Sequence, residues 1–333
     1  MKALVLEKSN KDVFASVQEM SEDNLPDGGD VLVDVAFSSL NYKDALAVTG
    51  RGDIIRGDYP FVPGIDLAGT VVETAESASG EYAPGDCVIV TGWGIGEETW
   101  GGFSQRQRVR ADWCVPLPEA LSMKDAMGFG TAGLTAMLAL MALESYGVAS
   151  DRGEVVVTGA SGGVGSFGVA LLDGAGYDAV ASTGSEDAHG YLRNLGAARI
   201  IGRGELGDGP ERPLDRGRWA GAMDAVGGDT LAALLSQTKR HGAVASYGLA
   251  GGPDLTTTVF PFILRGVGLL GIDSNTCPQE RRLRAWQRLA RNAPASLLER
   301  IVSETTSLKE VPAASERVLR GETTGRIVVD VNA

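Results

Sequence analysis

Apolar residues come in short stretches through the first third of the chain. Ala3–Leu6, Val31–Ser38, Gly69–Thr74, Cys87–Thr91 and Ser104–Val109 read as strands. Gly and Pro punctuate them in LPDGGD, FVPGID, YAPGD and VPLPEA. Their irregular spacing predicts a partly open β-barrel. Near Met123 the pattern turns helical: DAMGFGTAGLTAMLALMALESYG has Thr131 as a candidate N-cap and Gly147 as a C-terminal stop. Strands and helical stretches then alternate. The strands are Val155–Thr158, Ala179–Thr183, Arg199–Ile201, Gly221–Ala225, Ala243–Tyr247 and Val267–Ile272, with helices such as Gly163–Ala175 and Asp187–Leu195 between them. This alternation predicts an α/β fold with a doubly wound parallel sheet. The tail changes again, to helices Gln279–Arg291 and Val311–Gly321 and a last strand, GRIVVDV. The divisions fall at 1–125, 126–272 and 273–333, the last returning to the first region.

A chain of 333 residues can build two cores, and 44% apolar with 22% charged residues is the balance of a soluble globular protein. The net charge of −13 argues against a nucleic-acid or anionic-membrane surface. No apolar run reads as a membrane span. The N-terminus, MKALVLEKSNKD, turns charged within seven residues and reads as a strand rather than a secretion signal, so the expected compartment is the cytoplasm. Cys87, Cys114 and Cys277 are far apart and odd in number, which predicts free thiols.

The stretch with the clearest chemistry is VVVTGASGGVGS, Val155 to Ser166. A strand runs into a glycine turn and then a helix from Val164. Such a turn brings backbone close to a phosphate, and the helix N-terminus offers free N–H groups. The fingerprint reads Ala160-x-Gly162-x-x-Gly165, with Ser161, Gly163 and Val164 between. The second strand ends with Ser182, Thr183, Gly184 and Ser185, where an acid would select NAD. Small hydroxyl residues leave room for a 2′-phosphate, and Arg199 or Arg193 offers charge. NADPH is therefore the expected cofactor. The plainer alternative is that these residues cap the next helix.

The turn also fits T-G-x-x-x-G-x-G of short-chain dehydrogenases, but no tyrosine here has a lysine four residues on. The order of β-rich region, nucleotide region and return instead resembles the medium-chain dehydrogenase/reductase superfamily, which implies a GroES-like first domain and a Rossmann-type second one. Where zinc-dependent members carry a cysteine and a histidine, this chain has Asn41 in NYKD and Ile65 in GID, so no metal is expected. SSLNYKDALAVTGRG, PFVPGIDLAGTV, TGWGIGEETWGG, GTAGLTAMLALMALE and TTTVFPFILRGVGLLGIDS resemble the zinc-free, quinone-oxidoreductase-like branch, and within it acrylyl-CoA reductases of the YhdH/AcuI type. That resemblance implies NADPH-dependent reduction of acryloyl-CoA to propanoyl-CoA. The alternatives are a quinone or general enone reductase and an NADPH-binding protein without turnover. Such reductases often carry an arginine where this chain has Ser185.

The reaction needs hydride at Cβ, a proton at Cα and support for charge on the thioester oxygen. Tyr42 lies in the segment that faces the nicotinamide in this superfamily. It is the candidate proton donor, with stacking beside the cofactor as the alternative. Asn41 is a candidate for holding substrate. TGWGIGEETWGG, with Trp93, reads as a substrate-covering loop or a packed hairpin. Resemblance further implies nicotinamide contacts at Leu249, Ile263 and Ser274. GVGLLGID, Gly266 to Asp273, is apolar and last in the parallel series. An exposed edge of that kind predicts a homodimer, unless helix Gln279–Arg291 covers it.

Overall fold

The computed structural model describes every residue except Lys11, Ser79, Asp208 and the side chain of Ala295. In chain order the elements begin with β1 (Lys2–Ser9), β2 (Asp12–Glu19), β3 (Val31–Leu40), α1 (Tyr42–Val48), β4 (Asp66–Thr74), β5 (Cys87–Thr91), β6 (Arg106–Val109) and β7 (Val115–Pro116). There follow α2 (Met123–Tyr146), β8 (Val155–Val157), α3 (Gly163–Gly174), β9 (Ala179–Thr183), α4 (His189–Asn194), β10 (Arg199–Gly202), β11 (Trp219–Asp224), α5 (Gly228–Gln237), β12 (Thr238–Ser246), α6 (Phe260–Arg265) and β13 (Gly268–Gly271). The tail holds α7 (Gln279–Asn292), α8 (Ala295–Ile301), β14 (Val302–Ser307), α9 (Val311–Leu319) and β15 (Arg326–Asp330).

These elements form two compact units. The first is Met1–Thr131 with Asn275–Ala290 and Ile301–Ala333, and the second is Ala132–Ser274 with Arg291–Arg300. The crossings fall inside α2 and just before Asn275, and residues 291–300 join the second unit.

The first unit is built on a mixed sheet in the order β14-β15-β3-β4-β5-β7, with β6 also on β3. β14 and β7 end the path and do not pair, so the barrel is open. β1 and β2 form a separate antiparallel hairpin. β2 was not expected from sequence. Its residues are half-buried or exposed throughout, so no clean alternation marks it. The core gathers Leu4, Val33, Leu67, Val90, Phe103 and Ile327.

The second unit is a six-stranded parallel sheet, β10-β9-β8-β11-β12-β13. Counted along the chain this is 3-2-1-4-5-6, the doubly wound order of a Rossmann fold. Val155–Val157 and Ala179–Thr183 are buried at every position, because helices cover both faces of such a sheet.

α2 kinks at Gly130 (φ 50°), directly before the expected cap Thr131, whose N–H and hydroxyl donate to Asp66 at 3.0 and 2.6 Å. α2 is long and apolar enough for a membrane span, contrary to the first reading, but most of it is buried within the fold, as in a core helix. The helix expected over Asp187–Leu195 is a 3-10 turn, Glu186–Ala188, followed by α4. Residues 279–290 of α7 belong to the first unit, with Arg282 donating to Thr91 and Asn275. The outer edge of β13 is unpaired in the sheet. All three cysteines are free thiols.

Candidate functional site

The turn after β8 leads into α3, whose N-cap is Gly162, with no side-chain cap. The first-turn N–H groups of a helix have no intrahelical partner, so this end offers donors and a positive dipole to a phosphate. Gly159 is left-handed (φ 58°), and a Cβ at Gly165 would collide with its carbonyl. Only glycine lets α3 pack this close. The Ala160 N–H donates to Ser182 O at 3.2 Å and ties the turn to β9. One anchor was missed from sequence. Asp224, buried at the end of β11, accepts from Thr158 Oγ1 at 2.6 Å and from the N–H groups of Val226 and Gly227. Burial pushes its carboxyl pKa up against those donors. The cradle fits a dinucleotide.

At the adenosine end the structure changes the assignment. Ser182 and Thr183 are buried. Thr183 Oγ1 accepts from the Ser185 N–H at 3.1 Å and lies 3.4 Å from Ser161 Oγ, so it shapes the turn. Gly184 and Ser185 are exposed. Arg199 does not belong to this end. It begins β10 beside Val180, while Thr183 pairs with Gly202 at the other end of that strand. Its guanidinium is held by both Glu154 oxygens at 3.0 and 2.8 Å. Arg193 and Arg199 instead line a separate hollow with His189. The arginine at the right end is Arg203, just past β10. A Cβ on Gly184 would stand 2.7 Å from its Nε and 2.9 Å from its Cζ.

At the far end a cavity of about 540 Å³ opens beyond β11, β12 and β13, lined by Gly227, Tyr247, Leu249, Leu255 and Ile272 among others. Leu249, 65% exposed, is thus at a cavity wall. Ile263 is 69% exposed on α6, which excludes a core role. Ile263 and Ser274 are not among the cavity's lining residues.

In the first unit Tyr42 opens α1 and is 58% exposed. Asn41 is not free for substrate. It is buried, and its amide donates to Asp44 and Asp66 while its Oδ1 accepts from Arg326 Nη1. Residues 91–102 form a packed reverse structure rather than a cover. Ile95 and Glu97 are buried, and Lys43 pairs with Glu97 at 2.9 Å. Trp93 sits in this turn with a left-handed backbone (φ 60°), and the Arg282 guanidinium covers its ring at 4.7 Å.

The residues do not fit a zinc ion. Ile65 has no donor atom and the Asn41 amide is committed. Asp66 already accepts from Ser39, Asn41 and Thr131, with the Arg326 guanidinium 3.9 Å away. Among the described residues no three His, Cys, Asp or Glu side chains gather.

Burial, and then the neighbouring Asp66, push the Asp44 carboxyl from 3.8 up to about 7. Such a group disfavours folding only when ionised. Its cost grows as pH rises from 3.8 through 7 and is constant above that. Asp44→Asn removes this slope. Against the parent, the variant is expected to gain roughly 3 kcal/mol of unfolding free energy between about pH 5 and pH 8. Denaturant titrations at both pH values check this, and a pH-independent difference refutes it.

The alcohol dehydrogenase GroES-like domain family matches residues 27–119, and the zinc-binding dehydrogenase family matches residues 163–291. The chain is 50% identical over 333 residues to the acrylyl-CoA reductase AcuI of Ruegeria pomeroyi, covering 99% of each chain. The structure of the yhdH oxidoreductase from Salmonella enterica in complex with NADP aligns at a TM-score of 0.95 with 50% identity, over 99% of this chain and 100% of that one. Bacillus subtilis protein yhfP with NAD bound aligns at 0.94 with 45% identity, over 99% of both chains. With half its residues shared along its whole length, the chain belongs to the medium-chain dehydrogenase/reductase superfamily, in the quinone-oxidoreductase-like family that contains the AcuI acrylyl-CoA reductases.

Proposed function

We propose that the protein reduces the C=C bond of acryloyl-CoA to give propanoyl-CoA, with NADPH as cofactor. The observation that carries this is the full-length identity to AcuI, on a chain whose own glycine turn and Arg203 suit a phosphorylated dinucleotide. Bound NADPH supplies the hydride to Cβ. The α3 N-terminus holds the pyrophosphate. Arg203 and Ser185 take the 2′-phosphate, and Leu249 forms part of the nicotinamide wall. Tyr42 donates the proton to Cα, since a positioned phenol hydroxyl can act as a general acid. No Lewis acid is needed, because conjugation with a thioester makes the enolate accessible. The free thiols and the cofactor suit the cytoplasm.

Consumption of NADPH, followed by absorbance, tests the proposal with acryloyl-CoA, a quinone, a free enone or no acceptor. Turnover is expected with acryloyl-CoA and unchanged by a chelator. A preference for quinone or free enone favours the general reductase instead. Binding without turnover of any acceptor favours a non-enzymatic role.

The protein also forms a homodimer through β13. The support is an unpaired outer edge beside exposed Phe260, Ile263, Leu264 and Leu269. Pairing two such edges about a two-fold axis would satisfy both. Light scattering at micromolar concentration should give twice the chain mass. Leu269→Lys should reduce it to one chain with NADPH binding intact. A parent that is monomeric and stays soluble refutes the dimer.

A further inference from the structure

The segment that carries Tyr42 is held by buried ionisable and amide groups. α1 has seven residues, too few to be stable alone. Its first turn depends on what surrounds the cap. Asp44 accepts from the Asn41 N–H at 2.9 Å, from the Asn41 side-chain amide at 3.0 Å and from the Ile65 N–H at 2.9 Å. The same amide donates to Asp66 Oδ2 at 2.9 Å, and Asn41 Oδ1 accepts from Arg326 Nη1 at 3.1 Å. Arg326 comes from β15 and also donates to Leu40 O and Ser39 Oγ. The residue before Tyr42 is thus tied to β3, α1, the start of β4 and β15.

Asp44, Asp66 and Arg326 are buried together, at 1%, 0% and 4% exposure. Charge buried this way is a poor route to stability, and apolar residues of similar volume often serve as well or better. What apolar packing lacks is direction. Hydrogen bonds admit one orientation of the Asn41 peptide, and the helix starts from it. The cluster has no slack beside α2: a Cβ on Gly130 would stand 2.5 Å from Asp66 Oδ2 and 2.9 Å from Arg326 Nη2. The Tyr42 hydroxyl has no hydrogen-bond partner among the described residues, so where the phenol points depends on the backbone beneath it and the rotamers that backbone allows.

We infer that Asp44 and Arg326 are positioning residues for Tyr42, because the cluster they complete fixes the first turn of α1 and through it the direction of the phenol. The inference rests on the reading of Tyr42 as proton donor. Its test uses the full-length protein labelled with 3-fluorotyrosine, and the variants Asp44→Asn and Arg326→Lys. The Tyr42 fluorine resonance is identified by its loss in Tyr42→Phe. In each variant that resonance is expected to shift or split while those of the other tyrosines stay in place. kcat falls about tenfold with KM for NADPH within about twofold. In the Tyr42→Phe background the same substitutions change kcat less than about twofold, since the group they orient is gone. Arg326→Lys keeps the charge and serves if Asp44→Asn fails to fold. An unmoved Tyr42 resonance in a folded variant overturns the inference. Effects on kcat that multiply with Tyr42→Phe, or movement of all the tyrosine resonances, also overturn it, because a merely structural cluster behaves that way. If Tyr42→Phe leaves kcat unchanged while the resonance still moves in the variants, the proton-donor reading falls and the positioning stands.

Discussion

Tyr42→Phe is expected to lower kcat by roughly 100-fold, the low end of what a positioned general acid contributes, and to change KM for acryloyl-CoA by less than about threefold. Tyr42 is the first residue of α1 and 58% exposed. Its ring can be kept and its hydroxyl removed without breaking a hydrogen bond among the described residues. The loss therefore falls on the step in which the hydroxyl acts, the protonation of Cα, and an effect made only in the transition state appears in kcat. Water can replace the donor slowly, which is why the low end is expected. Steady-state kinetics with NADPH saturating checks it. An unchanged kcat would leave Tyr42 as a packing residue and water as the proton source.

Arg203→Ala is expected to lower kcat/KM for NADPH by about 10- to 100-fold, the worth of a charge-assisted hydrogen bond, and to leave NADH within about twofold. The guanidinium lies against Gly184, beside exposed Ser185, at the end of β9 where a dinucleotide's adenosine ribose is read. Arg199→Ala is the control. Arg199 is held by Glu154 at the other end of β10, and removing that exposed pair should change neither cofactor. Equal losses with NADPH and NADH in Arg203→Ala would refute a 2′-phosphate contact. A loss in Arg199→Ala confined to NADPH would restore the first assignment.

The confusion of Arg199 with Arg203 illustrates what a sequence can carry. Both follow β9, one at the start of β10 and the other just past its end. In a parallel sheet only register says which end of the neighbour each meets, and a strand of four residues spans roughly 13 Å. The same limit applies to residues 91–102. Five glycines in twelve residues read equally as mobility or as close packing, and the buried Glu97 and the Arg282–Trp93 contact decide for packing. Asn41 was legible as a replaced ligand position, not as a buried hub, because its partner Arg326 lies 285 residues away.

By itself the sequence determined most strands of the parallel sheet and the chemistry of the glycine turn. Continuous buried runs such as Val155–Val157, the glycine turn before α3 and the missing donors at Asn41 and Ile65 are local, because strand propensity, turn conformation and ligand identity belong to single residues or near neighbours. Only the tertiary structure decided which ends of strands face one another, that Arg203 rather than Arg199 meets Gly184, and that Asp44, Asp66 and Arg326 close around the cap of α1. Those contacts are set by sheet register and by the packing of segments remote in the chain, which no local pattern encodes.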